Sequence, residues 1–232
     1  MFGIMIVLSE IFFHGTGKRI PVEKLSSVYS NCGFIGFPLI DGIFGAEGIF
    51  YMTAYTTVFN LLFWTHGVWA MGSGGNVKST LKSLFTPAIV AVFLGLFLFV
   101  AQIRLPETLA EPLDMIADMN TPLAMIVAGI NLAQADFLKS LKKIRIYCVC
   151  LLRLVFFPLV GILILAQLPL DFKVLFTVFI GMACPSGAMV IMFAERYGKD
   201  ALYASEIFTL TTILCAGTIP VLSILAVKMF VH

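Results

Sequence analysis

The chain has 232 residues, of which 60% are apolar and only 12% are charged, and its formal net charge is +2. An ordinary soluble domain carries about a quarter charged residues, so this composition excludes a water-soluble globule. The mean hydropathy of +1.02 predicts that most of the chain is embedded in a lipid bilayer. The small net charge, with no dense basic run among aromatic residues, excludes nucleic acid as a partner.

Apolar segments that approach the roughly 20 helical residues needed to cross a bilayer recur along the whole sequence. Residues 1–13 are interpreted as part of a membrane helix, because a signal peptide would have a basic start and a small-residue cleavage site. The other predicted spans are residues 26–43, 49–72, 87–103, 120–135, 146–170, 174–194 and 204–227. The sequence therefore predicts an all-α membrane protein with about eight transmembrane segments.

The connections between these spans alternate in charge. Eleven of the 15 basic residues occupy every second connection, at residues 18–24, 78–82, 139–145 and 196–199. The intervening connections are mostly acidic, and residues 104–118 alone contain four acidic side chains. Because basic connections stay in the cytoplasm, the pattern predicts a multi-pass protein of the cell membrane, a bacterial cytoplasmic membrane, with its C-terminus outside.

Glycine and proline interrupt two of the predicted spans. The first interruption, at residues 31–38, reads Asn-Cys-Gly-Phe-Ile-Gly-Phe-Pro, and the second, at residues 184–187, reads Cys-Pro-Ser-Gly. The segments that follow are alike, since residues 44–47 (Phe-Gly-Ala-Glu) match residues 197–200 (Tyr-Gly-Lys-Asp) at a shift of 153 positions. The charge pattern gives the two interrupted spans opposite orientations, which predicts an inverted repeat.

At these motifs the sequence resembles the auxin efflux carrier family, which includes plant auxin carriers and bacterial malate and malonate permeases. The resemblance is carried by residues 31–39, by Asn120-Thr121-Pro122-Leu123-Ala124 with Gly129, and by residues 183–185, 197–198 and 218–220. It implies a fold of about ten helices in two inverted repeats, in which two broken helices cross.

The eight predicted segments match the third to the tenth helices of that fold, and the first two have no counterpart here. We therefore expect an incomplete N-terminal repeat at residues 1–72, a cytoplasmic linker at residues 73–86, and a C-terminal repeat of five helices at residues 87–232.

The resemblance also implies a secondary transporter that moves a small mono- or dicarboxylate by alternating access, through a rocking or an elevator motion. An uncharged amide such as Asn31 can donate to a carboxylate without holding a charge in the membrane, and free N–H groups at a half-helix start favour anions. The alternative is that Asn31 only caps a helix and that the glycines only allow close packing. The residues assigned to the substrate site are Asn31, Cys32, Gly33, Gly36, Pro38, Cys184, Pro185, Ser186 and Gly187.

Three further polar residues, Arg153, Glu206 and His66, are candidates for ion or proton coupling, because an ionisable group inside the membrane is a functional hypothesis by default. Arg153 could instead extend to a nearby interface, and the other two could be ordinary buried or interfacial polar residues. The identity of the carboxylate, the choice between proton and sodium coupling, and a homodimeric state stay open at this point.

Other functional classes are disfavoured by missing patterns. The sequence contains neither an HExxH nor a GxSxG motif, which disfavours an enzyme, and no repeated filter loop, which disfavours a channel. The five cysteines lie in apolar runs without metal-ligand spacing, so neither a metal nor another cofactor is expected. A non-transporting membrane fragment or accessory membrane subunit stays open as the alternative function.

Overall fold

Helices dominate the parts of the chain that the structure describes. The structure is a computed structural model, and it describes residues 1–72, 87–119, 122–123, 126, 130 and 143–231. Within those ranges the only β pairing is one isolated antiparallel bridge between Ser30 and Ser186. The protein is therefore an all-α membrane protein, as the sequence predicts.

The N-terminal part contains four α-helices and two π-helical turns. They are α1 (Phe2–Phe12), α2 (Ile20–Val28), a π-helical turn (Cys32–Gly36), α3 (Phe37–Leu62), a second π-helical turn (Phe63–Gly67) and α4 (Val68–Met71). Gly45 inside α3 has a φ of +60°, a left-handed conformation that glycine adopts without strain. This kink lies within the 40-residue helical run Cys32–Met71, at the connection that the sequence predicts between the spans 26–43 and 49–72.

The C-terminal part contains two helices before residue 119 and five after residue 143. They are α5 (Pro87–Val100), α6 (Glu107–Asp118), α7 (Ile144–Leu151), a third π-helical turn (Leu152–Phe156), α8 (Phe157–Leu165), α9 (Phe172–Ala183), α10 (Met189–Arg196) and α11 (Ala201–Phe230). The run Ile144–Leu165, the helix α11 and the run Cys32–Met71 are long and apolar enough to cross a bilayer, and α1 and α9 are shorter apolar helices.

The first interruption lies earlier than the sequence suggests. The non-helical residues are 29–31, between α2 and the first π-helical turn, whereas the predicted interruption covered residues 31–38. Pro38 lies two residues after the π-helical turn, inside the continuous helical run Cys32–Met71, so it does not end the helix. The second interruption lies where predicted, and it divides the predicted span 174–194 into α9 and α10.

One helix was missed, because residues 104–118 were interpreted as a plain connection. The helix α6 has no buried residue. Its acidic residues at 107, 111, 114 and 118 follow the spacing of one helical face, so the signal was present in the sequence. Most of the predicted span 120–135 lies outside the described residues, and so do the linker 73–86 and the basic residues Lys78, Lys82, Lys139 and Lys142.

Ion pairs join connections that the charge pattern places on the same side. Arg19, which precedes α2, pairs with Asp200, which precedes α11, at 2.8 Å. Lys173 at the start of α9 pairs with Glu47, beside the kink in α3. The first two residues belong to predicted cytoplasmic connections and the last two to predicted outer connections. Both ion pairs therefore support the assignment of the connections to two opposite ends of the helices. Which end faces the cytoplasm stays a prediction.

We expect single cysteines at Arg196 and Thr108 to react with a membrane-impermeant maleimide from opposite sides of the membrane, in a background without the native cysteines. Both positions are exposed. The basic connection should stay cytoplasmic, so Arg196→Cys should be labelled only in inverted vesicles, and Thr108→Cys only in right-side-out vesicles. Labelling of both cysteines from one side would contradict the predicted number of spans.

Candidate functional site

The two interruptions contact each other directly through their backbones. The N–H group of Asn31 donates to the carbonyl oxygen of Pro185 at 2.8 Å, and the N–H group of Gly187 donates to that of Tyr29 at 2.9 Å. Irregular backbone inside a bilayer must satisfy its polar groups within the protein, and here each interruption satisfies the other. The prediction that the two broken helices meet at their interruptions is confirmed.

Two of the predicted glycines are packed tightly at this crossing. A Cβ atom on Gly187 would lie 3.1 Å from the backbone oxygen of Ser30, so this glycine lets the two interruptions approach each other. A Cβ atom on Gly36 would lie 2.3 Å from Cε of Met52 and 3.4 Å from Sγ of Cys184. Both glycines therefore have a packing role, which the sequence analysis kept as an alternative to a binding role.

The remaining predicted residues divide between the crossing and an exposed surface. Cys32 and Cys184 are buried at the two interruptions. Gly33 and Pro38 are exposed, and a Cβ atom on Gly33 would have no described neighbour within 4 Å. These two residues lie on the exposed side of the helix that follows Asn31.

Asn31 and Ser186 supply buried polar groups without partners. Their residues are 3% and 1% exposed, and neither Nδ2 of Asn31 nor Oγ of Ser186 has a hydrogen-bond partner among the described residues. Asn31 makes no side-chain capping bond to the π-helical turn that follows it, so the capping alternative fails for this conformation. The backbone N–H group of Ser186 is satisfied, because it donates to Oγ1 of Thr211 at 3.2 Å. A buried polar atom without a partner is uncommon and requires a physical explanation.

Two further hydroxyl groups, which the sequence analysis missed, belong to the same cluster. Ser30 and Tyr55 lie close to each other, yet neither Oγ of Ser30 nor Oη of Tyr55 makes a hydrogen bond of normal geometry within the described residues. Ser30 adjoins Asn31 in the sequence, whereas Tyr55 lies in α3, more than 15 positions after the predicted first interruption at residues 31–38. The crossing thus collects one amide and three hydroxyl groups that can donate hydrogen bonds.

Arg153 is fully buried beside the crossing, with an exposure of 0%. Its Nε donates to the carbonyl of Cys184 at 2.9 Å and its Nη2 to that of Met182 at 2.8 Å. Its Nη1 donates to the carbonyls of Ser27 at 3.2 Å and Val28 at 3.0 Å. These carbonyls lie at the C-terminal ends of α9 and α2, where carbonyl groups lack partners within the helix. Arg153 therefore binds both half-helices at once, and the expectation that it extends to an interface is wrong.

The sequence family agrees with this architecture. The family described as membrane transport protein matches residues 1–79 and 76–223. The chain belongs to this family. An uncharacterized transporter of Methanothermobacter thermautotrophicus is 30% identical to this chain over 206 residues, which are 86% of the chain. The chain spans 66% of the length of that relative.

The two other candidates for ion or proton coupling, His66 and Glu206, each contact a specific side chain. Nδ1 of His66 lies 3.0 Å from Oη of Tyr29, which belongs to the first interruption, while its Nε2 is buried without a described partner. Both carboxylate oxygens of Glu206 accept from Nζ of Lys143 at 2.7 Å. Neither contact tests a coupling role, so both residues stay predictions.

A buried ion pair near the predicted cytoplasmic end was not anticipated. Glu23 in α2 is fully buried, and it accepts from Nε of Arg145 at 2.8 Å, from Nη2 of Arg145 at 2.6 Å and from the hydroxyl of Tyr203 at 2.9 Å. Partial burial would raise the pKa of Asp200 nearby, but hydrogen bonds from Arg19 and from the backbone of Tyr203 hold this pKa below its ordinary value. Ion pairs and hydrogen bonds thus connect side chains in or directly before α2, α7 and α11 at one end of the chain.

Proposed function

We propose that this transporter carries a small organic anion, a mono- or dicarboxylate, across the cell membrane, and that the carboxylate binds where the two broken helices cross. The observation that carries the proposal is the pair of unpartnered buried groups, Nδ2 of Asn31 and Oγ of Ser186. An ionised carboxylate only accepts hydrogen bonds, whereas amide and hydroxyl groups can donate them. The chemical types therefore match, and a bound carboxylate would satisfy both groups.

The electrostatics of the crossing favour an anion as well. The helices that follow the two interruptions begin at Cys32 and at Met189, and the N-terminal end of a helix carries a partial positive charge. The guanidinium group of Arg153 offsets the negative C-terminal ends of α2 and α9, which would otherwise repel an anion at the crossing. In a medium of low dielectric constant the positive helix ends attract an anion much more strongly than in water.

The similarity of the two interrupted segments supports transport by alternating access. Gly45 and Gly198, which are equivalent in the proposed inverted repeat, have φ values of +60° and +61°. Two similar units in opposite orientations can exchange their conformations, which opens a shared site first to one side of the membrane and then to the other.

Uptake into proteoliposomes tests this function. In proteoliposomes of the complete protein we expect saturable uptake of at least one labelled acid among malate, malonate and a monocarboxylate, under imposed proton or sodium gradients. The diamide of malonate has a similar size but no charge, so it should not compete. Competition by the diamide as strong as by malonate itself would contradict an anion site, and so would the absence of uptake for every acid tested.

A further inference from the structure

The carbonyl groups of two helix ends converge on one cation in this protein. The oxygens of Ser27 and Val28 end α2, and those of Met182 and Cys184 end α9. In transporters with broken helices, unwound carbonyls and half-helix C-terminal ends coordinate the coupling sodium ion or proton. Here the guanidinium group of Arg153 donates to all four oxygens.

We propose that Arg153 is a resident cation that takes the place of a coupling ion between the two half-helix ends, so that the carrier binds no sodium ion there. The proposal rests on the transport function proposed above, because it concerns the coupling of that transport. Arginine is suited to this position, since its guanidinium stays protonated and presents five N–H donors in one plane.

The local charges balance without a sodium ion. Arg153 has no carboxylate partner among the residues that the structure describes, so its charge is compensated by backbone dipoles. Each helix C-terminus carries about half a negative charge, and the two ends together therefore match about one cation. A sodium ion at the same oxygens would have to compete with the guanidinium and would meet its positive charge at close range.

The same bonds connect Arg153 to the substrate site. Val28 directly precedes the first interruption, which contains Asn31, and Cys184 and Ser186 belong to the second. A cation that binds the carbonyl groups at or directly before both interruptions also fixes where the unpartnered groups of Asn31 and Ser186 lie. Arg153 is thus a positioning residue for substrate binding as well as a substitute for the coupling ion.

Thermal unfolding of the detergent-purified protein, in sodium, potassium or choline chloride of equal ionic strength, tests the proposal without requiring transport. We expect equal melting temperatures for the parent protein in all three salts. Arg153→Gln removes the charge and leaves the four carbonyl oxygens without a cation, so this variant should have a lower melting temperature. Millimolar guanidinium or sodium ions should raise that melting temperature by roughly 2–5 °C. The matched control Arg196→Gln changes an exposed arginine and should respond to no cation.

A parent protein that sodium stabilises over potassium and choline would overturn the proposal, and so would a folded Arg153→Gln variant that no cation stabilises. If Arg153→Gln does not fold, Arg153→Lys takes its place: it retains the charge, so its melting temperature should be independent of sodium, and sodium dependence would overturn the proposal. Uptake by the parent protein should be equal in sodium and choline. A failure of the carboxylate hypothesis is distinguishable, because it removes uptake in every salt and leaves the melting experiment unaffected.

Discussion

Replacement of Asn31 by alanine in the complete protein is expected to abolish or severely weaken carboxylate uptake while the protein still inserts into the membrane and folds. The side chain makes no hydrogen bond that the described fold needs, so its loss removes a donor for the substrate and little else. Loss of a donor to a desolvated carboxylate costs about 1–3 kcal/mol, which corresponds to about one to two decades in affinity. The measurement is the concentration dependence of uptake in proteoliposomes.

The matched control for this experiment is Asn60→Ala, which makes the same chemical change at a half-buried position of α3 away from the interruption. It should leave the apparent affinity unchanged, and both variants should elute as monodisperse protein with parental melting temperatures. Uptake by Asn31→Ala at the parental rate and apparent affinity would move the anion site elsewhere, with Ser186 and Arg153 as the next candidates.

Replacement of Glu23 by alanine is expected to lower the free energy of unfolding by about 2–4 kcal/mol. The carboxylate is fully buried, and its removal leaves the buried hydroxyl of Tyr203 without its acceptor and Arg145 without its partner. The cost should stay at the lower end of the range known for broken buried pairs, because the side chain of Arg145 is 54% exposed and can turn towards water. Chemical or thermal unfolding in detergent measures the effect.

The control is Glu47→Ala, because Glu47 also pairs with a basic residue, Lys173, but both side chains are nearly half exposed. Exposed pairs contribute only about 0–1 kcal/mol, so this variant should unfold close to the parent protein. Equal destabilisation by the two substitutions would show that burial of Glu23 is not what makes its pair important. Glu23→Gln retains volume and an acceptor for Tyr203, so its free energy of unfolding should lie between those of Glu23→Ala and Glu47→Ala.

The all-α membrane class was predictable because the bilayer imposes it. Long apolar runs, charge between them, and glycine and proline within two of them are local features that can be counted in the sequence. The exact position of the first interruption was not predictable. Pro38 looked like its end, but it lies inside the continuous helical run Cys32–Met71. Residues 29–31 are kept non-helical by backbone hydrogen bonds with Pro185 and Gly187. Pro185 and Gly187 lie more than a hundred positions away from residues 29–31 in the sequence.

The same limitation explains what was missed at the candidate site. The donors Asn31 and Ser186 stood out because they adjoin the predicted interruptions. The role of Arg153 could not be derived, since all four of its partners are backbone carbonyls, which no residue type reveals. Glu23 looked like a residue of a charged connection, and its partners Arg145 and Tyr203 are 122 and 180 positions away.

The bonds at the crossing also restrict how such a carrier can move. Two backbone hydrogen bonds join the interruptions, and the side chain of Arg153 donates four more to carbonyl groups at the ends of α2 and α9, at or directly before the interruptions. A motion that pulled the two repeats apart at this point would expose buried donors and acceptors where no water replaces their partners, at a cost of about 1–3 kcal/mol for each group. We therefore expect α2, α7, α8 and α9 to travel as one rigid block that carries the substrate, with the sliding surface elsewhere in the protein.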